Sequence, residues 1–440
     1  MADPHPFAIP NFRAYWISRI TATLGQTAMV IVIGWQVYDL ARQSMGIKAA
    51  AFQLGLIGAA QFFPLMVLSL FAGWIADHID RRWIARAATA LVAGCAIALT
   101  VLTYAGTVSL SALFVIAALF GVARAFAGPA MGALAPNLVP PEVLPRAIAV
   151  SSIAWQSGGV LGPAMGGYLY AIDEWVPYAV ASGLFLISLL MLMLITPVPR
   201  TKGPGGNPWS AMIDGLRYVR QNRLVLGAIS LDLFAVLLGG ATAMLPVYAR
   251  DILGIGSAGL GHLRAAPALG AVAIGLFFSW RPMRHDVGRK MLLAVAGFGV
   301  ATMVFGLAGP LLLRWMGPGA VGHDLAPAVL ISLAMLFVLG ALDMVSVFVR
   351  QSLIQIYTPD AMRGRVGAVS TLFISGSNEL GEAESGFLAA LIGPVAAVVG
   401  GGIGAVLVTA LWAKLFPEIL RARTFDPPET LEFTPKEQSS

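Results

Sequence analysis

Charge is scarce in this chain of 440 residues, with 28 Lys and Arg and 22 Asp and Glu making up only 11% of it, whereas a soluble domain carries roughly a quarter. An ordinary cytosolic enzyme is excluded on that ground. Cysteine is nearly absent: Cys95 alone can form no internal disulfide and no thiolate metal cluster. No Gly-Lys dipeptide occurs, so there is no P-loop and no ATP motor of that class, and neither a Gly-x-Ser-x-Gly elbow nor a His-Glu-x-x-His helix is present. Gly254-Ile-Gly256-Ser-Ala-Gly259 spells a dinucleotide fingerprint, but no strand precedes it, and the match is read as chance. No cofactor, no metal and no enzymatic activity are therefore expected.

What the chain has in abundance is apolar sequence, 58% hydrophobic at a mean hydropathy of +0.80. Apolar runs broken by turn or charge clusters give twelve candidate spans near 12–38, 52–74, 83–104, 110–135, 146–170, 176–196, 224–248, 258–280, 291–313, 326–349, 364–390 and 394–416. The first is too long for a signal peptide and lacks its basic start, so it is read as a retained span. The basic balance, pI near 9.6, would suit nucleic acid if the cations were clustered. Instead the loops of one side hold only Arg42, Lys48, Arg250 and Arg314 of the 28. That asymmetry predicts both termini in the cytoplasm and loops facing anionic lipid, with no nucleic-acid partner.

Four segments follow: a six-helix bundle over 1–198, a cytoplasmic linker with an amphipathic helix over 199–223, a second six-helix bundle over 224–417, and a disordered cytoplasmic tail over 418–440. In the linker, Trp209, Met212, Ile213, Leu216 and Val219 form one helical face suited to the membrane surface. The halves align weakly as repeats. Gly58, Gln61 and Pro64 fall on Gly261, Arg264 and Pro267, while Gly121 and Arg124 fall on Gly340 and Asp343.

Eight ionisable residues lie deep within the spans, away from their ends: Arg19, Arg124, Asp232, Arg264, Asp343, Glu379, Glu382 and Glu384. Each would cost roughly 2.5–3.5 kcal/mol facing lipid at mid-helix, so they must pair or line a wet cavity. The repeat sets Arg19 against Asp232 and Arg124 against Asp343, opposite signs at equivalent depths that can meet across a central cavity. Arg19, Thr23 and Gln26 follow i, i+4, i+7 spacing, a polar stripe. These three with Asp232 and Arg264 are the expected substrate pathway. Glu379 and Glu382 share a face, where two like charges in low dielectric resist joint ionisation; with Glu384, Asp343 and Arg124 they form the expected proton-coupling set.

Gly73-Trp-Ile-Ala-Asp77-His-Ile-Asp80-Arg81-Arg82 resembles the loop motif between the second and third helices of the major facilitator superfamily, departing from it at His78 and Asp80. By that resemblance Gly73, Asp77, Arg81 and Arg82 would work a gate. Arg124 through Gly132 is similar to the superfamily's arginine-glycine motif, and Gly158-Gly-Val-Leu-Gly162-Pro163-Ala-Met-Gly166-Gly167 to its antiporter motif. Blocks such as Trp35-Gln36-Val-Tyr38-Asp39, Leu263-Arg264-Ala-Ala-Pro267 and Asn378-Glu379-Leu-Gly381-Glu382-Ala-Glu384 resemble the bacterial siderophore-exporter branch. The resemblance implies a monomeric inner-membrane transporter of twelve helices in two pseudo-symmetric bundles. It would export an amphipathic small molecule, a siderophore or drug, by alternating access in exchange for protons. A proton-coupled importer and a lipid transporter of the same fold are the alternatives.

Overall fold

The computed structural model describes residues 6–134, 137–140, 143–197, 208–281 and 283–425; the side chains of several helical residues, Gly73, Asp77, Trp155 and Glu379 among them, fall outside the description. The described residues are almost entirely helical. The first half contains α1 (Pro10–Ser44), α2 (Ile47–His78), α3 (Arg81–Tyr104), α4 (Leu110–Leu134), α5 (Leu144–Ile172) and α6 (Val176–Leu194). The linker helix is α7 (Pro208–Gln221). The second half contains α8 (Arg223–Leu238), α9 (Leu245–Val247), α10 (Gly256–Trp280), α11 (Val287–Met316), α12 (Pro327–Ile356), α13 (Asp360–Ile392) and α14 (Pro394–Leu415), and α15 (Pro417–Arg421) follows. Each of the twelve expected spans coincides with helix. The seventh is broken: α8 stops at Gly239 and is continued by a 3-10 turn (Ala241–Met244), α9 and a π turn (Tyr248–Ile252).

Local chemistry accounts for the helix ends. The Asp80 side chain accepts from the Arg82 amide and starts α3, and Asn222 accepts from Val225 to start α8. Proline opens α1, α12 and α14, where the missing N–H costs nothing. Gly393, at φ +94°, ends α13 and begins α14, so one left-handed residue reverses the chain.

Among the described residues, ten helical stretches are long and apolar enough to cross a membrane by length and composition. Helices α5 and α13 are not among them. These two carry the glycine motif and the glutamates, and both pack against the opposite half, α5 on α10 and α13 on α2, with Gly167 and Gly386 buried at those crossings. The outer surface is apolar instead: Trp280 is 89% exposed and Phe63 65%, as lipid-facing side chains should be.

Glycine allows the closest crossings. A Cβ on Gly55 of α2 would stand 2.7 Å from the Gly386 Cα of α13, and one on Gly167 of α5 would stand 2.6 Å from the Gly261 Cα of α10. The two crossings are related by the repeat, the second helix of each half meeting the fifth of the other. Two expectations are corrected. Val219 is buried with Tyr218 against α13, while Ile213 and Leu216 are exposed and Met212 is half-buried; the Trp209 side chain lies outside the described residues. The tail does not become irregular at 418, because α15 is helical and the amides of Val287 and Gly288 donate to the Arg423 and Ala422 carbonyls; residues 426–440 fall outside the description.

Candidate transport pathway and gate

The named contacts between the halves gather at the end of the molecule opposite the termini. There the last turns of α1 meet the π turn after α9. Tyr38 donates to Asp251, Arg42 donates to both Asp251 carboxylate oxygens through Nε and Nη2 at 3.1 and 2.9 Å, and Arg250 pairs with Asp39. Nearby, Lys48 donates to the Leu391 carbonyl at 3.1 Å, Phe52 meets Phe387 edge-on, and the His262 ring lies against Tyr168. These contacts close that end. Beside them Glu174 stands in the short turn between α5 and α6, where partial burial and the neighbouring Asp39 and Asp173 carboxylates raise its pKa above the ordinary glutamate value.

The expected pathway residues are divided among several contacts. Arg19, half-buried on α1, donates through Nη1 to Tyr15, whose hydroxyl donates in turn to the Met131 carbonyl of α4. Thr23 is buried against α5: its hydroxyl bonds the Arg19 carbonyl at 2.8 Å, and a Cβ on Gly158 would lie 2.6 Å from its methyl. Gln26 stays half-buried on α1. Asp232 does not meet Arg19 across the centre; it forms a buried ion pair with Arg350 of α12 inside the second half. The repeat is nevertheless visible here, because Arg19 and Asp232 occupy equivalent places, and the helix two spans before the end of each half is reached by Asp232 directly and by Arg19 through Tyr15.

Arg264 and Glu382 line one small cavity between the halves, with Gln61 as the third polar wall. Asp343 and Arg124 are half-buried on α12 and α4, and the Glu384 Oε2 is buried without a hydrogen-bond partner. The Glu379 side chain lies outside the described residues, so its expected pairing with Glu382 does too. Of the motif glycines, Gly158, Gly162 and Gly166 face α1, where Thr27 donates to the Gly158 carbonyl at 2.9 Å, while Gly167 faces α10. Pro163 lies inside α5 without ending it. The side chains of Gly73 and Asp77 are outside the description. Arg82 binds Asp80 at 2.7 Å and the carbonyl of Ile195 just past α6, contacts within its own half, and Arg81 is half-buried beside it.

Three groups escaped the sequence reasoning. Arg350 fell just past the expected end of the tenth span at 349, although it shares a helical face with Asp343 seven residues earlier. The gate charges Asp39, Arg42, Arg250 and Asp251 fall in loops just outside the expected spans, and their alternating signs on two loops of the same side are the available signal. Arg86, buried on α3, donates to the Leu192 and Ile195 carbonyls and so caps the end of α6. A larger cleft of about 600 Å³, lined by Asn222, Arg223, Tyr357 and Glu418, opens at the termini end and touches none of the expected pathway residues.

Comparison with known proteins agrees with this geometry. The family model of transmembrane secretion effectors matches residues 2–428. The enterobactin exporter of Escherichia coli O1:K1 is 27% identical over 427 residues, 96% of this chain and 95% of its own length, and that of E. coli O6:K15:H31 is equally similar. Among solved structures, a bacterial homologue of the lysosomal transporter Spinster, inward-facing and occupied, superposes with a TM-score of 0.67 at 15% identity, covering 95% of this chain and 98% of that one. The D-xylose–proton symporter superposes at 0.66 and 13%, covering 94% and 97%. A multi-pass helical chain with these relatives is a secondary transporter and not an enzyme, and it belongs to the transmembrane secretion effector family of the major facilitator superfamily.

Proposed function

We propose that the protein exports an amphipathic small molecule, a siderophore or a drug, from the cytoplasm in exchange for protons. The observation that carries this reading is the similarity to enterobactin exporters along almost the whole chain, in a fold whose two halves meet at one end through separable ion pairs. The domains are 1–198 and 224–417, joined by 199–223, and the protein acts as a monomer in the bacterial inner membrane with both termini in the cytoplasm. The gate of Tyr38, Arg42 and Asp251 then seals the periplasmic end while the pathway opens inward. Arg19, Gln26 and Arg264 meet substrate; Glu382, Asp343, Glu384, Glu379 and Arg124 exchange the proton; Gly73, Asp77, Arg81 and Arg82 act when the cytoplasmic end closes. Export follows if rocking of the halves is coupled to proton release on that side.

Everted membrane vesicles test direction and coupling together. With the interior acidified, vesicles bearing the protein should accumulate added enterobactin or a lipophilic cation, and Glu382→Gln should abolish the dependence on the proton gradient. Accumulation only with the opposite gradient would make the protein an importer. Activity confined to labelled phospholipid would replace the soluble substrate with a lipid.

A further inference from the structure

Between the halves, just inside the gate, lies a small cavity of about 30 Å³. Its walls are apolar residues of α1 and α2 on one side and Ala243 and Pro246 on the other, broken by Gln61, Arg264 and Glu382. Two polar atoms of this wall are orphaned. The Gln61 Oε1 belongs to a side chain only 4% exposed, and neither it nor the Arg264 Nε has a hydrogen-bond partner in the protein. Buried polar groups are satisfied in the great majority of folds, by water where protein does not reach.

We propose that this cavity is a binding site for ordered water that ties the two halves together. The volume holds a water, and the donors and acceptors match one: its two hydrogens go to the Gln61 Oε1 and a Glu382 carboxylate oxygen, and its oxygen accepts from the Arg264 Nε–H. Other guests fit worse. A cation meets the Arg264 guanidinium, an anion meets the Glu382 carboxylate, and an apolar atom leaves Gln61 unsatisfied. Because Gln61 belongs to the first half and Arg264 and Glu382 to the second, the site exists only while this end is shut. The water site needs only the closed interface; its emptying during the transport cycle rests on the alternating-access reading.

Gly58 provides a plug. A Cβ added there would lie 3.6 Å from the Glu382 Cβ and 3.7 Å from its Oε2, ordinary contact distances, so Gly58→Ala inserts a methyl group into the cavity without moving the protein. X-ray radiolysis of the purified full-length protein generates hydroxyl radicals from bound water in place, and mass spectrometry reads the oxidation of its neighbours. Ile57, only 2% exposed, should be labelled well above the likewise buried Leu99, which lies away from the cavity, and so should Leu54. Labelling should fall several-fold in Gly58→Ala and in Gln61→Leu, with exposed Trp280 and Trp315 unchanged. Labelling of Leu54 and Ile57 no greater than that of Leu99 would mean a dry cavity and overturn the proposal. So would a signal that survives either substitution, since the water would then be held elsewhere or by other atoms. No substrate is added, so failure of the vesicle assay and failure of this one are distinguishable.

Discussion

Gly167→Ala should push the gate open by a calculable amount. The new Cβ would stand 2.6 Å from the Gly261 Cα and N and 3.2 Å from the Ser257 carbonyl, all on α10. Reaching the 3.4 Å at which ordinary contact begins requires the two helices to part by nearly an ångström, and both partners are backbone, which cannot swing aside. Overpacking of this kind costs about 1–3 kcal/mol, and the cost falls on the closed state alone, because the crossing exists only when the halves meet at that end. The helix-propensity gain of alanine over glycine, roughly 1 kcal/mol, applies to both states and cancels. The open-to-closed ratio at the gate end should therefore rise about 5- to 150-fold. Spin labels at Thr107 and His323, exposed on turns of opposite halves at the gate end, in a Cys95→Ser background, would report it as a gain in the longer distance population. Gly183→Ala, where a Cβ meets nothing within 4 Å, is the control. An unchanged distance distribution in Gly167→Ala would refute the assignment of this crossing to the closed state.

Arg42→Gln leaves Asp251 without its two charge-assisted bonds, and the same spin-label pair should register an open shift worth about 1–3 kcal/mol; exchanging the charges, Arg42→Asp with Asp251→Arg, should restore part of it. Asp232→Ala strands the buried Arg350 and should cost about 3–5 kcal/mol in thermal or denaturant unfolding, whereas replacing both with apolar residues of similar size should recover most of the loss. Equal destabilisation in the single and double variants would mean that the pair is not the source. For Glu174, whose pKa is raised by burial and by nearby Asp39 and Asp173, ionisation is penalised in the folded protein, so stability falls as pH climbs from the ordinary glutamate value through the raised one. Glu174→Gln should therefore be the more stable form above that window in a melting series, and its advantage should vanish below pH 4.5, the unshifted value.

The helices were legible because length and hydropathy alone decide what can cross a bilayer, and the expected spans lie on the helices α1 to α14 with ends shifted by a few residues. The linker helix was legible from its period, but which part of its face packs on α13 was not, since Val219 and Leu216 look alike in a pattern. Charges within spans had to have partners, and that inference held for Asp232; the partner's identity depends on helix rotation, which hydropathy does not encode. The repeat set Arg19 opposite Asp232, yet equivalence under a pseudo-two-fold does not imply contact, and Asp232 pairs with Arg350 inside its own half. Sequence separation hid the gate, where Tyr38 and Asp251 lie more than two hundred residues apart.

The clasp between α1 and the π turn has a polarity of its own. Asp39 and Arg42, one turn apart on α1, face Arg250 and Asp251, so acid and base alternate on both sides in opposite order. Sliding one strip past the other by a single step would bring Asp39 to Asp251 or Arg42 to Arg250, replacing attraction with repulsion between partly buried like charges. The arrangement works as a vernier: it admits one alignment and penalises its neighbours. Two bodies joined by such a scale can lift apart and return to the same mark, whereas a sideways shift of one step meets like charges.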